Sequence, residues 1–187
     1  GARITGGITN AGLITASGSA FFDQNASSIA GNLANLGGTI SGGQWGVNLL
    51  GTSITGAFNN TGLIAGTSLG GMNIVAGAKL QNGLSNSGTI SGPVGINVDA
   101  GATIAGLLNT GSISSINLSN TGYITAVSNA GTIIGLSNVG GILGSVNNTG
   151  LISGNGLAIA TGAKLLSGLT NSGQILSLGQ HGVLLGA

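Results

Sequence analysis

A short phrase, Asn-x-Gly-x-Ile or Asn-x-Gly-x-Leu, recurs along the whole chain and limits its fold more than any other feature. It starts at Asn10, Asn60, Asn86, Asn109, Asn120, Asn129, Asn138, Asn148 and Asn171, with a slightly longer variant at Asn35. Two positions before these asparagines stand apolar side chains: Ile8, Leu33, Phe58, Leu84, Leu107, Leu118, Val127, Leu136, Val146 and Leu169. The steps from each asparagine to the next are 25, 25, 26, 23, 11, 9, 9, 10 and 23. The short steps pair up to 20 (Asn109 to Asn129) and 19 (Asn129 to Asn148), close to one long interval. Self-similarity on this scale marks solenoids and arrays. The chain therefore reads as a series of coils whose lengths run from 19 to 26.

The long intervals hold a second phrase, GINVDAGATI from Gly95, GLAIATGAKL from Gly156 and, shifted by one, GMNIVAGAKL from Gly71. A long interval thus sets several apolar stations toward an interior, for example Val98, Ile104, Leu107 and Ile113. These stations are isolated Ile, Val and Leu residues bounded by Gly, Asn and Ser. A helix would need an unbroken stripe at i, i+3, i+4 and could not absorb 40 glycines, each costing about 1 kcal/mol relative to Ala. Short strands turned at Gly and Asn fit, because both residues tolerate positive φ. One such strand makes no core, but stacked coils pair each strand with those above and below. The fold class is all-β: a parallel β-solenoid (β-helix) of about eight coils. The recurrent asparagines fall at turns. They serve either as good turn residues or as amides hydrogen-bonded along the axis, as in cross-β stacks; both readings give the same fold.

The termini continue the pattern across the break. Gly182–Ala187 written before Gly1–Ile14 reproduces the grammar of Gly95–Ile113. The step from Asn171 round to the next Asn10 would be 26, the same as from Asn60 to Asn86. Residues 1–187 are expected to form a single β-solenoid unit, uncapped at both ends and about one closed period long. With strands ~4.8 Å apart, eight coils rise ~38 Å. Such a unit suits a tandem array or head-to-tail stacking on copies of itself, a heterologous contact that does not close and so makes a fibre.

Composition excludes several classes. Only five residues are charged, Arg3, Lys79, Lys164, Asp23 and Asp99, giving a net charge of +1; this offers no electrostatic footprint for nucleic acid or for an anionic membrane. No apolar run reaches the 18 or more residues of a spanning helix, so membrane insertion is not expected. There is no Cys, hence no disulfide framework or thiolate metal site, and the opening GARITGG, without a basic n-region or an apolar h-region, is not expected to act as a secretory signal. With so few ions, pH and salt are expected to be weak levers on stability, and the surface should self-associate end to end and side to side.

Strings such as NNTGLIAG, NSGTISG and NNTGLISG resemble the β-helical passenger and repeat regions of large bacterial surface proteins, namely autotransporter adhesins and filamentous-haemagglutinin-like exoproteins. The resemblance covers essentially the whole chain. It implies export, an extended stalk at the cell surface, and roles in adhesion, aggregation or matrix. It carries over no functional residue.

Chemistry-bearing groups are sparse. His181 has no second His or Cys to share a metal, and Asp23 and Asp99 are 76 positions apart, placing them about three coils from one another. A polysaccharide-active β-helix needs clustered acids and a base, which the chain does not supply. An ice-binding Thr array built on Thr39, Thr89 and Thr132 is interrupted at Leu63, Ser112, Tyr123 and Gln174. Trp45 and Tyr123 are solitary aromatics that read as apolar fillers or inter-fibre contacts rather than sugar platforms. The sequons at Asn25, Asn59, Asn117 and Asn147 carry little weight in so Asn-rich a chain. Residues 16–28 break the grammar and read as an irregular corner or bulge; Phe21, Phe22 and Trp45 are the expected lateral contacts. The sequence thus predicts no catalysis and no cofactor. Its expected partners are copies of itself, with a surface carbohydrate or protein ligand left unspecified. The expected role is a structural unit of an extracellular bacterial fibre at the cell surface; the alternative is the stalk of a type V secreted adhesin.

Overall fold

A computed structural model describes residues 1–179 and 181–186. The junction reading from Gly182 therefore ends on Ala187, which lies outside the described residues. The described chain is all-β, and every ladder between its strands is parallel and in register. Eight strands stack in each column, so the described residues make eight coils.

Each coil has three faces. Face A carries two strand columns, exemplified by Lys79–Leu80 and Leu84–Asn86. In Tyr123–Asn129 and Ile142–Asn148 the two columns merge into single long strands. Face B runs from Leu13–Ala16 through Thr89–Ser91 to Gln174–Ile175. Face C runs from Phe21–Asp23 through Val94–Val98 to Val183–Leu185.

Alternation along each strand sends five side chains per coil inward. One coil contributes Leu84, Ile90, Ile96, Val98 and Ile104; the next contributes Leu107, Ile113, Ile116, Leu118 and Ile124, all buried. Stacking therefore builds five aliphatic columns along one core, burying methyl and methylene groups at about 25 cal/mol per Å².

Coil length varies mainly at the corner from face B to face C. Ile64 and Met72 are eight positions apart there, Ile113 and Ile116 only three. The ladders are continuous through this change, since a corner can lengthen outward without shifting the strands it joins. Glycine at this corner is obligatory at Gly71: a Cβ there would lie 2.5 Å from the Cγ2 of Ile90 and 2.8 Å from the Gly95 carbonyl oxygen.

The corner from face C to face A is a tight turn. The amides of Ala102 and Gly122 donate to the carbonyls of Asp99 and Ser119 at 3.1 and 2.8 Å. The central residues have positive φ: Ala100 (49°) and Gly101 (76°) in one coil, Asn120 (41°) and Thr121 (66°) in the next. Two successive positive φ values define a type I′ turn.

Residues 16–28 do not form a bulge. Phe21–Asp23 is the regular first strand of face C, paired with Val47–Leu49, and Asn25 and Ala26 are the positive-φ pair of the following turn. The segment departs from the repeat grammar because its inward residues are atypical, not because its backbone is.

Candidate functional site

The asparagine that ends each strand of the second column of face A faces the interior edge of the rod. Asn35, Asn60, Asn86, Asn109, Asn129 and Asn148 are essentially inaccessible to solvent. The Nδ2 of Asn10 donates to the Oδ1 of Asn35, and the same bond repeats through Asn60, Asn86, Asn109, Asn129 and Asn148 to Asn171, at 2.7–2.8 Å. Each amide also closes its own corner. Asn86 Nδ2 lies 3.2 Å from both the Gly88 carbonyl of its own turn and the Ser112 carbonyl of the next coil. A buried primary amide is thereby satisfied without water, the condition for tolerating it in a core.

The ladder is polar. Every link donates toward the C-terminal end, so Asn171 keeps an Nδ2 whose remaining contact is the Gly173 carbonyl at 3.3 Å. At the other end, the Oδ1 of Asn10 accepts from the amide of its own Gly12 at 3.2 Å.

Two copies of the phrase fall elsewhere. Asn120 is the first central residue of a face C to face A turn, which moves Tyr123 out of the face B row and into face A, in register with Thr103. Asn138 sits in face C between Leu118 and Ile159, at an inward station that is aliphatic in both neighbouring coils. The reason is local. Its turn is one position shorter, so the amide of Gly141 donates to Asn138 Oδ1 at 2.9 Å, and Asn138 Nδ2 donates to the Lys164 carbonyl at 2.9 Å. The side chain replaces the turn carbonyl that longer corners supply.

A second amide row runs along the outside of face C. Asn73 donates to Asn48 and Asn97 to Asn73 at 2.9 Å, and Asn117 donates to Asn97 at 3.4 Å. These links point toward the N-terminal end, opposite to the inner ladder. Sequence reading missed this row, although its signal is present: VNL, MNI, INV and INL each place Asn between two inward aliphatics.

The three aromatics expected as lateral contacts differ among themselves. Phe21 faces inward, in register with Val47, and packs on the core; it makes no lateral surface. Trp45 is half-buried and lies over Gly70 of the next coil, where an added Cβ would meet its Cζ3 at 2.6 Å. Only Phe22 stands out from the rod, half exposed. The outer surface is also more apolar than composition suggests, with Leu13, Leu108, Ile134, Val139 and Leu166 exposed.

Asp23 occupies an inward station. Its register partner is Leu49, and the stations beyond are Ile74, Val98 and Leu118. Together with Ile4, Ile8, Phe21 and Ile29 it lines a hollow of about 220 Å³ at the N-terminal face. The opposite face presents Leu165, Leu169, Ile175, Val183 and Leu185 at the corresponding stations, aliphatic throughout. Asp99 lies three coils along from Asp23, at a corner, its Oδ1 accepting from the Ala100 amide, so the two carboxyls are not brought together. His181 is exposed beside Asn155, Ser177 and Leu184. Among the described residues no group of three or more His, Cys, Asp or Glu side chains could hold a metal ion. No helix among them is long and apolar enough to cross a membrane. Compared with known proteins, the chain matches no family model, no curated protein and no solved structure.

Proposed function

We propose that the chain is a structural segment of an extracellular bacterial fibre, a rod whose coil stacking continues through both end faces onto further coils of its own kind. The observation that carries this reading is the match between the faces. The amide ladder offers a donor at Asn171 and an acceptor at Asn10. Stacked in the register of the rod, Leu165, Leu169, Ile175 and Val183 would cover Ile4, Ile8, Ile14 and Phe21, four of five stations apolar on both sides. The same faces meet whether the neighbouring coils belong to one polypeptide or to a second copy.

The fifth station opposes this. Leu185 would cover Asp23, and an ionised carboxylate taken out of water without a partner costs free energy. The hollow beside it also carries Ser27 and Ser28 and, at about 220 Å³, is roomy enough for water, which reduces the penalty. End-to-end stacking is thus favourable but tempered at one point. In this reading the chain is not an enzyme: its two carboxyls lie three coils apart, one facing inward.

Sedimentation velocity over a hundredfold range of concentration tests the proposal. The mass should grow with concentration. Leu169→Glu, which places a charge on the C-terminal face, should hold the chain monomeric while leaving its circular dichroism unchanged. A wild-type monomer at every concentration would overturn the reading.

A further inference from the structure

All three cations of the chain lie in a single row. In the first column of face A the outward residues run Arg3, Ser28, Ser53, Lys79, Thr103, Tyr123, Ile142, Lys164, each in register with the next. Arg3, Lys79 and Lys164 are exposed and Tyr123 is half-buried. Neither acid shares the row: Asp23 faces inward in face C, and Asp99 turns onto the Ala100 amide at a corner.

The spacing is regular where the aromatic stands. Lys79 and Tyr123 are two coils apart, and so are Tyr123 and Lys164. At ~4.8 Å per coil each gap is ~10 Å. An extended chain of pyranose rings advances by about one ring length per sugar, which is close to one coil. We infer that this row is a binding surface for a linear acidic polysaccharide laid parallel to the rod axis, with Lys79 and Lys164 meeting carboxylates on either side of a ring seated on Tyr123.

Charge complementarity supports this occupant. The row carries +3 on a molecule whose net charge is +1, so the attraction is confined to one side. Thr103 stands between Lys79 and Tyr123, and on the Arg3 side of Lys79 stand Ser53 and the Gln81 amide, which donates to Ser53 Oγ at 2.9 Å; these are groups able to bond sugar hydroxyls. A neutral polymer would leave the lysines unused. A nucleic-acid strand would meet only three cations, too few for strong phosphate neutralisation. The inference is independent of end-to-end stacking, because the row lies on the side of the rod.

Calorimetric titration of the Leu169→Glu variant, which removes the end-stacking equilibrium, with oligogalacturonates of defined length provides the test. Affinity should rise steeply up to about five or six rings, the length spanning Lys79 to Lys164, and gain further only at about eight rings, when the chain reaches Arg3 three coils beyond Lys79. Lys79→Gln and Lys164→Gln should each weaken binding about fivefold, as loss of an exposed ion pair does, and Tyr123→Ser about tenfold. The decisive variant moves the charge. Lys79→Thr combined with Thr89→Lys keeps the net charge and the coil but places the cation on face B. It should bind as weakly as Lys79→Gln. Binding equal to wild type in that variant, equal binding of a neutral cello-oligosaccharide, or tighter binding of an oligothymidylate would each overturn the proposal.

Discussion

The Nδ2 of Asn60 donates to the Oδ1 of Asn86 at 2.7 Å, one coil further along the rod. Asn86 in turn donates to Asn109 at 2.8 Å, so each amide is acceptor below and donor above. Removing Asn86 breaks two links, leaves the Oδ1 of Asn109 without its donor and takes the amide away from the Gly88 and Ser112 carbonyls, where water does not reach. Asn86→Ala is expected to destabilise the rod by about 2–4 kcal/mol, combining lost bonds with a cavity. Asn97→Ala in the outer row, where solvent can replace the bond, should cost under about 1 kcal/mol. Urea unfolding of the two variants gives the comparison; equal losses would deny the inner ladder its special role.

Thr121 holds φ 66° at a position where the two preceding coils place Gly101 and Gly77. A β-branched residue is strained there, and glycine is not. Thr121→Gly should therefore stabilise the chain by about 1 kcal/mol despite the entropy glycine adds to the unfolded state. Thermal unfolding should show a higher midpoint; a lower one would mean that the Thr121 side chain contributes more than its backbone costs.

Asn138 inverts the usual expectation for a core position. Its neighbours along the column are Leu118 and Ile159, so Asn138→Leu restores a continuous aliphatic stack. It also leaves the Gly141 amide and the Lys164 carbonyl without the partners they have now. The unsatisfied groups outweigh the added apolar contact, and a net loss of about 1–3 kcal/mol is expected. Equilibrium denaturation giving a gain would show that the short corner can relax.

Asp23 is the one charged station on either end face. Asp23→Leu replaces a carboxylate that stacking would desolvate with the side chain that Leu49 already carries one coil on. End-to-end association should tighten at least tenfold by sedimentation equilibrium, about 1.4 kcal/mol, while the melting temperature of the monomeric chain changes little. Unchanged association would mean that the N-terminal face is not part of the contact.

The apolar columns and the coil count were legible because an apolar residue and an asparagine recur at fixed places in most coils; the amide ladder stayed one of two readings, since a turn asparagine and a stacked asparagine leave the same mark in sequence. Asn120 and Asn138 share the same phrase yet occupy a turn and a core station, since the phrase describes a strand end followed by a reversal and the rod has more than one such corner. The inward position of Asp23 was hidden because strand parity is set by register with Leu49, a full coil away in sequence. The cation row was hidden by variable coil length. Three coils separate Arg3 from Lys79 and four separate Lys79 from Lys164, yet the two stretches of chain are nearly equally long. Equal steps in space are unequal steps in sequence when a corner such as Ile64 to Met72 contracts to that of Ile113 to Ile116.

Fibre diffraction from aligned, concentrated protein addresses the continuation of the coil stack most directly. Strands stacked through successive units should give a sharp reflection at ~4.8 Å along the fibre axis, with an axial repeat of ~38 Å set by eight coils. The reflection from strand spacing lying across the axis, or the absence of any oriented assembly, would contradict it.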